Sequence, residues 1–226
     1  MDEILVATDI SKTFPGDPPL EVVRGLDIVL HKGELGAITG VSGKGKSTVL
    51  NLLGGIMRPD AGSVLFHGEE ISTMGKSELD SIHKKGIGFV FQTPYLFEAL
   101  TARENLIFAS RMTSSRVNVS EIDAALEEFG LIDRAEHLPS ELSVGQRRRL
   151  MIARVMLSDH EVILADEPTN DLDRRWTDYV LKRFKEFAHN GGSVMVVTHD
   201  MSFAAHADSI YVLEDGCVRP RRSNEG

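Results

Sequence analysis

The stretch that decides how this chain folds is Gly40-Val41-Ser42-Gly43-Lys44-Gly45-Lys46-Ser47-Thr48. It has the spacing G-x-x-x-x-G-K-[ST], follows the apolar run Leu35 to Thr39, and leads into a helical pattern from Thr48 to Ile56. A strand that turns through glycines into a helix aims successive backbone N–H groups at one point, and the helix start adds its positive dipole end. Such a turn holds a polyphosphate. Lys46 is spaced to reach the β- and γ-phosphates and the Ser47 hydroxyl to ligate magnesium, while Gly40, Ser42, Gly43, Lys44, Gly45 and Thr48 complete the candidate cradle.

Outward from this loop, short apolar runs alternate with longer helical patterns, which is the signature of an α/β sheet with crossovers. The spacing predicts buried strands over Leu35 to Thr39, Ile87 to Phe91, Val162 to Ala165, Val194 to Val197 and Ile210 to Leu213. Their length and β-branched content fit a sheet covered on both faces. From Ile4 to about Leu30, strand-like pieces surround the turn Pro15-Gly16-Asp17-Pro18-Pro19, and Gly62 to Gly68 reads as a further edge hairpin strand. These pieces predict a small antiparallel layer. Between Gln92 and Leu142 the pattern turns helical: Thr101 can cap a helix with Glu104 three residues on, and Ser120 to Phe129 has apolar positions at helical spacing. The polar tail from Arg219 to Gly226 reads as a frayed end after the last strand.

Composition limits what such a chain can do. With 226 residues, 42 % hydrophobic and 26 % charged, it is an ordinary globular chain of one domain carrying an insertion. Its net charge of −9 argues against a nucleic-acid backbone as the main partner, so anions must be bound locally. The single cysteine, Cys217, cannot form an internal disulfide and suits a reducing compartment. The N-terminus has Asp2 and Glu3 where a signal peptide has basic residues, so export of this chain is not expected. No apolar run approaches the roughly 18 residues of a membrane span; if the protein works at a membrane, another chain does the spanning.

Two acids close the strand Val162 to Ala165. In isolation Asp166-Glu167 would read as a solvated turn, but the phosphate loop upstream changes that reading, because phosphoryl transfer needs a metal and an oriented water. Asp166 can hold a magnesium-bound water, and Glu167 can polarise the water that attacks the γ-phosphate.

Leu142-Ser143-Val144-Gly145-Gln146 lies 23 residues before Asp166, measured from Ser143, and opens a helical run beginning Arg147-Arg148-Arg149-Leu150. It resembles the signature loop of ATP-binding-cassette ATPases, usually written Leu-Ser-Gly-Gly-Gln. Gln92 in Phe89-Val90-Phe91-Gln92 resembles that family's glutamine loop, Asn170-Asp171-Leu172-Asp173 its D-loop, and His199 in Val197-Thr198-His199-Asp200 its switch histidine. Phe14 in Ser11-Lys12-Thr13-Phe14 resembles the aromatic that stacks on adenine. The resemblance runs from about residue 4 to 217.

The resemblance implies an α/β fold: a P-loop NTPase core with a parallel sheet, a small antiparallel β subdomain and a helical subdomain inserted at about 93–141, in one nucleotide-binding domain over 1–226. It implies ATP and Mg2+ as ligands, with Glu167, His199 and Gln92 catalytic, and Ser47, Gln92 and Asp166 at the metal. It also implies a head-to-tail homodimer in which Ser143, Gly145 and Gln146 of one copy close over ATP held by the other. Three departures stand out: Val144 in place of the first glycine of the signature pair, Lys44 inside the phosphate loop, and Asp171 in the D-loop. Val144 is expected to remove backbone freedom.

Ile87 to Gln92, Leu50 to Gly55 and Leu100 to Leu106 look most like the branch with lipoprotein-releasing, macrolide-exporting and cell-division ATPases. That implies an integral-membrane permease as partner and a place on the cytoplasmic face of the membrane. Pro94, Tyr95, Leu96 and Phe97 would offer the apolar docking surface. An importer ATPase for amino acids shares every catalytic motif and differs only in those branch-like segments. A soluble cassette protein in translation or DNA repair fits less well, because only 49 residues separate Gln92 from the signature loop. A regulator without turnover is disfavoured by the presence of Lys46, Gln92, Glu167 and His199.

Overall fold

The computed structural model describes residues 2–41, 43–113 and 118–220. In chain order the strands are β1 (Glu3–Phe14), β2 (Leu20–His31), β3 (Leu35–Gly40), β4 (Ala61–Phe66), β5 (Glu69–Glu70), β6 (Ile87–Val90), β7 (Val162–Asp166), β8 (Ser193–Val197), β9 (Ser209–Glu214) and β10 (Cys217–Pro220). The helices are α1 (Lys46–Leu53), α2 (Lys76–Lys85), α3 (Ala102–Thr113), α4 (Val119–Glu128), α5 (Val144–Met156), α6 (Arg174–His189) and α7 (Met201–Ala204).

Among the described residues these strands form two sheets. The larger runs β10-β9-β3-β8-β7-β6, with β9 through β6 parallel and β10 antiparallel at the edge. The smaller is antiparallel, ordered β2-β1-β4-β5. Each predicted parallel strand is present, and β3, β7 and β8 are apolar because both their faces are covered. Period-two alternation divides the side chains of β7: Ile163 and Ala165 join one core with α3 to α6, while Val162 and Leu164 join a second with α1 and the antiparallel sheet. The ends of the parallel strands are thereby held from both sides.

Helix starts follow local chemistry. At α3, the Thr101 N–H donates to Glu104 Oε2 (2.8 Å) while Thr101 Oγ1 accepts from the Glu104 N–H (3.2 Å), the reciprocal box its spacing predicts. At α6, Asp173 accepts from the Trp176 N–H at 2.9 Å, and Val180, Leu181, Phe184 and Ala188 form its buried stripe. Burying a side chain such as Phe184 contributes about 1.5–3 kcal/mol.

The structure corrects four expectations. Helix α1 starts near Lys46 as expected but ends at Leu53, three residues short of the predicted run to Ile56, because Gly54 serves as its C-cap. Strand β4 is interior to its sheet, since the two-residue β5 takes the edge. Helix α2 was not expected: Lys76 to Lys85 is mostly polar and buries no side chain fully, and only Leu79 and Ile82 pack, partly buried, against the core. Arg219 and Pro220 pair with Val212 and Tyr211 in β10 instead of belonging to a frayed end, and residues 221–226 lie outside the described residues. No helix among the described residues is long and apolar enough to cross a membrane.

Candidate functional site

The phosphate loop leaves β3 and enters α1 through backbone that few residues adopt. Gly40, Gly43 and Gly45 have φ of 146°, 76° and 96°. At Gly45 the requirement is double, for a Cβ there would also lie 2.3 Å from Val22 Cγ1 on β2. No side chain caps α1, so its first N–H groups are free for a ligand. The Lys46 ammonium is buried and donates to the carbonyls of Gly40 (3.0 Å) and Val41 (3.1 Å), which folds it back over the loop. Lys44 is exposed and only 4.0 Å from Asp215 on the β9–β10 turn, a contact of little energetic weight. Ser42 lies outside the described residues.

A cavity of about 370 Å³ brings Gly43, Gly45, Lys46, Ser47 and Thr48 together with Gln92, Asp166 and Glu167, and Val22 walls one side. Asp166 ends β7 and Gln92 follows β6, so adjacent parallel strands deliver them to one end of the sheet. Burial pushes the Asp166 carboxyl above its ordinary value, helped by Glu167 and opposed by the Ser47 hydroxyl, Lys46 and Arg148. Its Oδ1 is buried with no hydrogen-bond partner. Such an orphan oxygen beside a serine hydroxyl fits a hard divalent cation that completes its shell with water and phosphate oxygens. Among the described residues no cluster of three or more His, Cys, Asp or Glu offers an all-protein cage.

Glu167 sits at φ 47°, an uncommon conformation for a residue with a side chain. Its N–H is held by the Val197 carbonyl (2.9 Å), and both its carboxylate oxygens lie 3.0 Å from His199 Nδ1. The pair spans the ends of the neighbouring strands β7 and β8. The carboxylate is buried whereas the imidazole is 60 % exposed, so one end of the couple is fixed and the other is open to whatever approaches.

The signature segment behaves differently. Ser143 is the N-cap of α5: its Oγ accepts from the Gln146 N–H (3.2 Å), and Gln146 Oε1 accepts from the Ser143 N–H (2.8 Å). The hydroxyl proton remains available for donation. Ser143, Gly145 and Gln146 do not line the phosphate cavity of their own chain. Val144 occupies the first helical turn, exposed and in a conformation open to any L-residue, with no positive φ that would call for glycine. The position that needs glycine is 145, where a Cβ would meet the Asp171 carbonyl at 2.9 Å. Phe14 also stands apart, at the end of β1 opposite Leu20 and outside the lining of the phosphate cavity.

Of the predicted docking residues, Tyr95 and Phe97 are exposed, whereas Leu96 packs against the core. Phe97 makes an edge contact with Phe108 of α3 and Tyr95 with Phe91. Beside them lies a groove of about 760 Å³ between α2, α3, α5 and β6, lined in part by Phe89, Phe91 and the exposed Met112.

Sequence reading missed Arg148, which is 2 % exposed and donates to the carbonyls of Phe91 and Gln92. It hides in the basic run Arg147-Arg148-Arg149. A signal existed, because Met151, Ile152 and Val155 place position 148 on the apolar face of α5.

A family model described as "ABC transporter" matches residues 23–170. The Macrolide export ATP-binding/permease protein MacB of Wolinella succinogenes is 38 % identical over 218 residues, covering 94 % of this chain and 34 % of that protein. The Pyoverdine export ATP-binding/permease protein PvdT of Pseudomonas fluorescens is 39 % identical over 214 residues, covering 92 % and 32 %. The chain thus spans about a third of the length of these relatives. Among solved structures, the ATP-binding cassette MJ0796, dimeric in a post-hydrolysis state with ADP and Pi, matches with a TM-score of 0.92 at 30 % identity, covering 99 % of this chain and 100 % of that one.

Proposed function

This chain belongs to the ABC transporter family as one of its ATPase cassettes, and from that premise we propose that it hydrolyses ATP in a head-to-tail dimer to drive a membrane permease of the export or mechanotransmission type. One observation carries the reading: the cavity gathers Lys46, Ser47, Gln92, Asp166 and Glu167, while Ser143, Gly145 and Gln146 of the same chain stay outside it. A site complete on one side and lacking its second anion-binding helix end is what a second copy supplies.

Within this reading, the α1 N–H groups and Lys46 bind the β- and γ-phosphates, with Gly40, Gly43, Lys44, Gly45 and Thr48 shaping the loop. Phe14 stacks on the adenine. Ser47, Asp166 and Gln92 would hold magnesium, which when bound neutralises phosphate charge. Glu167, fixed by its backbone and by His199, orients a water and takes its proton as it attacks the γ-phosphate. His199 Nδ1 donates to the Glu167 carboxylate, which leaves Nε2 for a γ-phosphate oxygen, to which it donates when each ring nitrogen carries a proton. Ser143 donates its hydroxyl proton to the γ-phosphate on the other copy, joined by N–H groups at the start of α5. Hydrolysis detaches that shared anion from the nucleotide as inorganic phosphate, and its departure lets the copies part.

The export names of the relatives favour an export-type system over an importer. The exposed Tyr95 and Phe97 and the groove beside them are the surface proposed to receive the permease, which would place the cassette on the cytoplasmic face of the membrane. Mg-ATP hydrolysis by the purified chain, lost in Lys46→Ala, tests the ATPase. Co-purification in mild detergent tests the rest: a partner with few spans and a large extracytoplasmic domain supports the proposal, and an importer-like permease with a solute-binding protein overturns the export part.

A further inference from the structure

We propose that Arg148 is a positioning residue that fastens the Gln92 loop and the Asp171 turn to the first turns of α5, so that the three segments shift as one body during turnover. The proposal rests on the ATPase reading above. Arg148 reaches 57 residues back to the Phe91 carbonyl (2.8 Å) and also donates to the Gln92 carbonyl. The guanidinium nitrogen that reaches Gln92 also lies 3.4 Å from Asp171 Oδ2. The Asp171 turn touches α5 a second time through its backbone carbonyl, which packs where a Cβ of Gly145 would be.

Asp171 is at φ 67°, a left-handed conformation that aspartate tolerates better than most residues, and this turn lets one residue meet both Arg148 and Gly145. Gln92 therefore has its main chain held from α5 while the residue lines the cavity of Lys46, Asp166 and Glu167. Burial draws the guanidinium down from its ordinary value, and the neighbouring Asp171 carboxylate is the main influence against that shift. Its Nε is buried without a partner. A residue serving the core alone would be replaced at little cost by an apolar side chain of similar volume. What an apolar residue cannot do is link the three segments.

The test compares Arg148→Met, Arg148→Lys, Asp171→Asn and the double variant Arg148→Met/Asp171→Asn in steady-state ATP hydrolysis by the full chain, with circular dichroism and thermal melts beside each. Arg148→Met is expected to lower kcat by about tenfold or more and leave KM for ATP within about twofold, since the phosphate loop is untouched. Arg148→Lys is expected to recover little, because one ammonium cannot span two carbonyls and a carboxylate. Asp171→Asn is expected to lower kcat about threefold, and the double variant to lose less than the product of the two single losses. Wild-type kcat in a folded Arg148→Met, a rise in KM alone, or independent multiplication of the two effects would each overturn the proposal. If Arg148→Met does not fold, Asp171→Asn decides: a lower kcat at unchanged KM supports the linkage, and wild-type kinetics refutes it. A wild-type chain without Mg-ATP hydrolysis sinks the ATPase reading itself; a wild-type chain that is active, and is silenced by Lys46→Ala, leaves that reading standing whatever Arg148 does.

Discussion

Helices α1 and α5 each offer an anion the donors of a helix N-terminus, and they finish that device in opposite ways. At α1 the N-cap is Gly45 with no side-chain cap, and Lys46 is buried beside it with two acids close by. At α5 the N-cap is Ser143, whose hydroxyl and backbone are engaged with Gln146 in a reciprocal box. The first end is left unsatisfied and is surrounded by charges that folding has collected, so it waits for a ligand. The second is stable by itself and exposed, so it can meet an anion only when another surface carries one to it. An uncapped end built into a cavity and a capped end on the surface are the two halves a shared site requires.

The largest effect is expected where the uncapped end loses its cation. Lys46→Ala leaves the α1 donors in place but removes the point charge on the β- and γ-phosphates, and turnover is expected to fall to background with ATP binding weakened. Turnover by Lys46→Ala at the wild-type rate would break the comparison at its first term. Glu167→Gln keeps the size of the side chain and loses the base, so hydrolysis is expected to drop by about 10²–10⁴ while ATP still binds. Because hydrolysis reopens the shared site, this variant should accumulate as an ATP-bound dimer in light scattering. A monomer at saturating ATP would contradict the dimer mechanism.

At the capped end, Ser143→Arg places a bulky cation where a hydroxyl and N–H groups are proposed to meet the γ-phosphate. Nucleotide binding to the single chain should survive, and closure and turnover should fail together. Mixing sharpens this. A heterodimer of Ser143→Arg with Lys46→Ala contains one intact composite site and one doubly altered site, so its ATP-driven dimerisation should exceed that of either parent. Equal dimerisation in all three would mean the α5 end acts only within its own chain. The smallest effect separates the structural part of Ser143 from its proposed part in the site: Ser143→Ala removes the cap and should lower folding stability by about 1 kcal/mol in urea denaturation. No change would show that the capping box contributes nothing measurable.

Most of the α/β core was legible because its signals are local. The apolar runs at Leu35, Val162 and Val194 became β3, β7 and β8, and Thr101 with Glu104 marked the start of α3. The candidate cavity was legible only as fragments. Lys46, Gln92 and Glu167 each carry a motif, yet their meeting depends on β3, β6 and β7 ending on one side of the sheet. Helix α2 escaped because its apolar face is only Leu79 and Ile82, half-buried in an otherwise polar segment, too short a pattern to stand out.

Spacing along the chain therefore determined the phosphate turn, the strand endings that carry Asp166 and Glu167, and the cap at Ser143, since each depends on residues only a few positions apart. Tertiary structure alone decided that Glu167 and His199, 32 residues apart, face one another. It also decided that Phe14 stands outside the phosphate cavity, and that Arg148 leaves a basic run to bind carbonyls 56 and 57 residues away. A glycine turn or a helix cap is specified by the conformations its own few residues allow. A buried guanidinium is specified by which distant carbonyls and carboxylates the packed strands and helices leave within reach, and no local pattern records that.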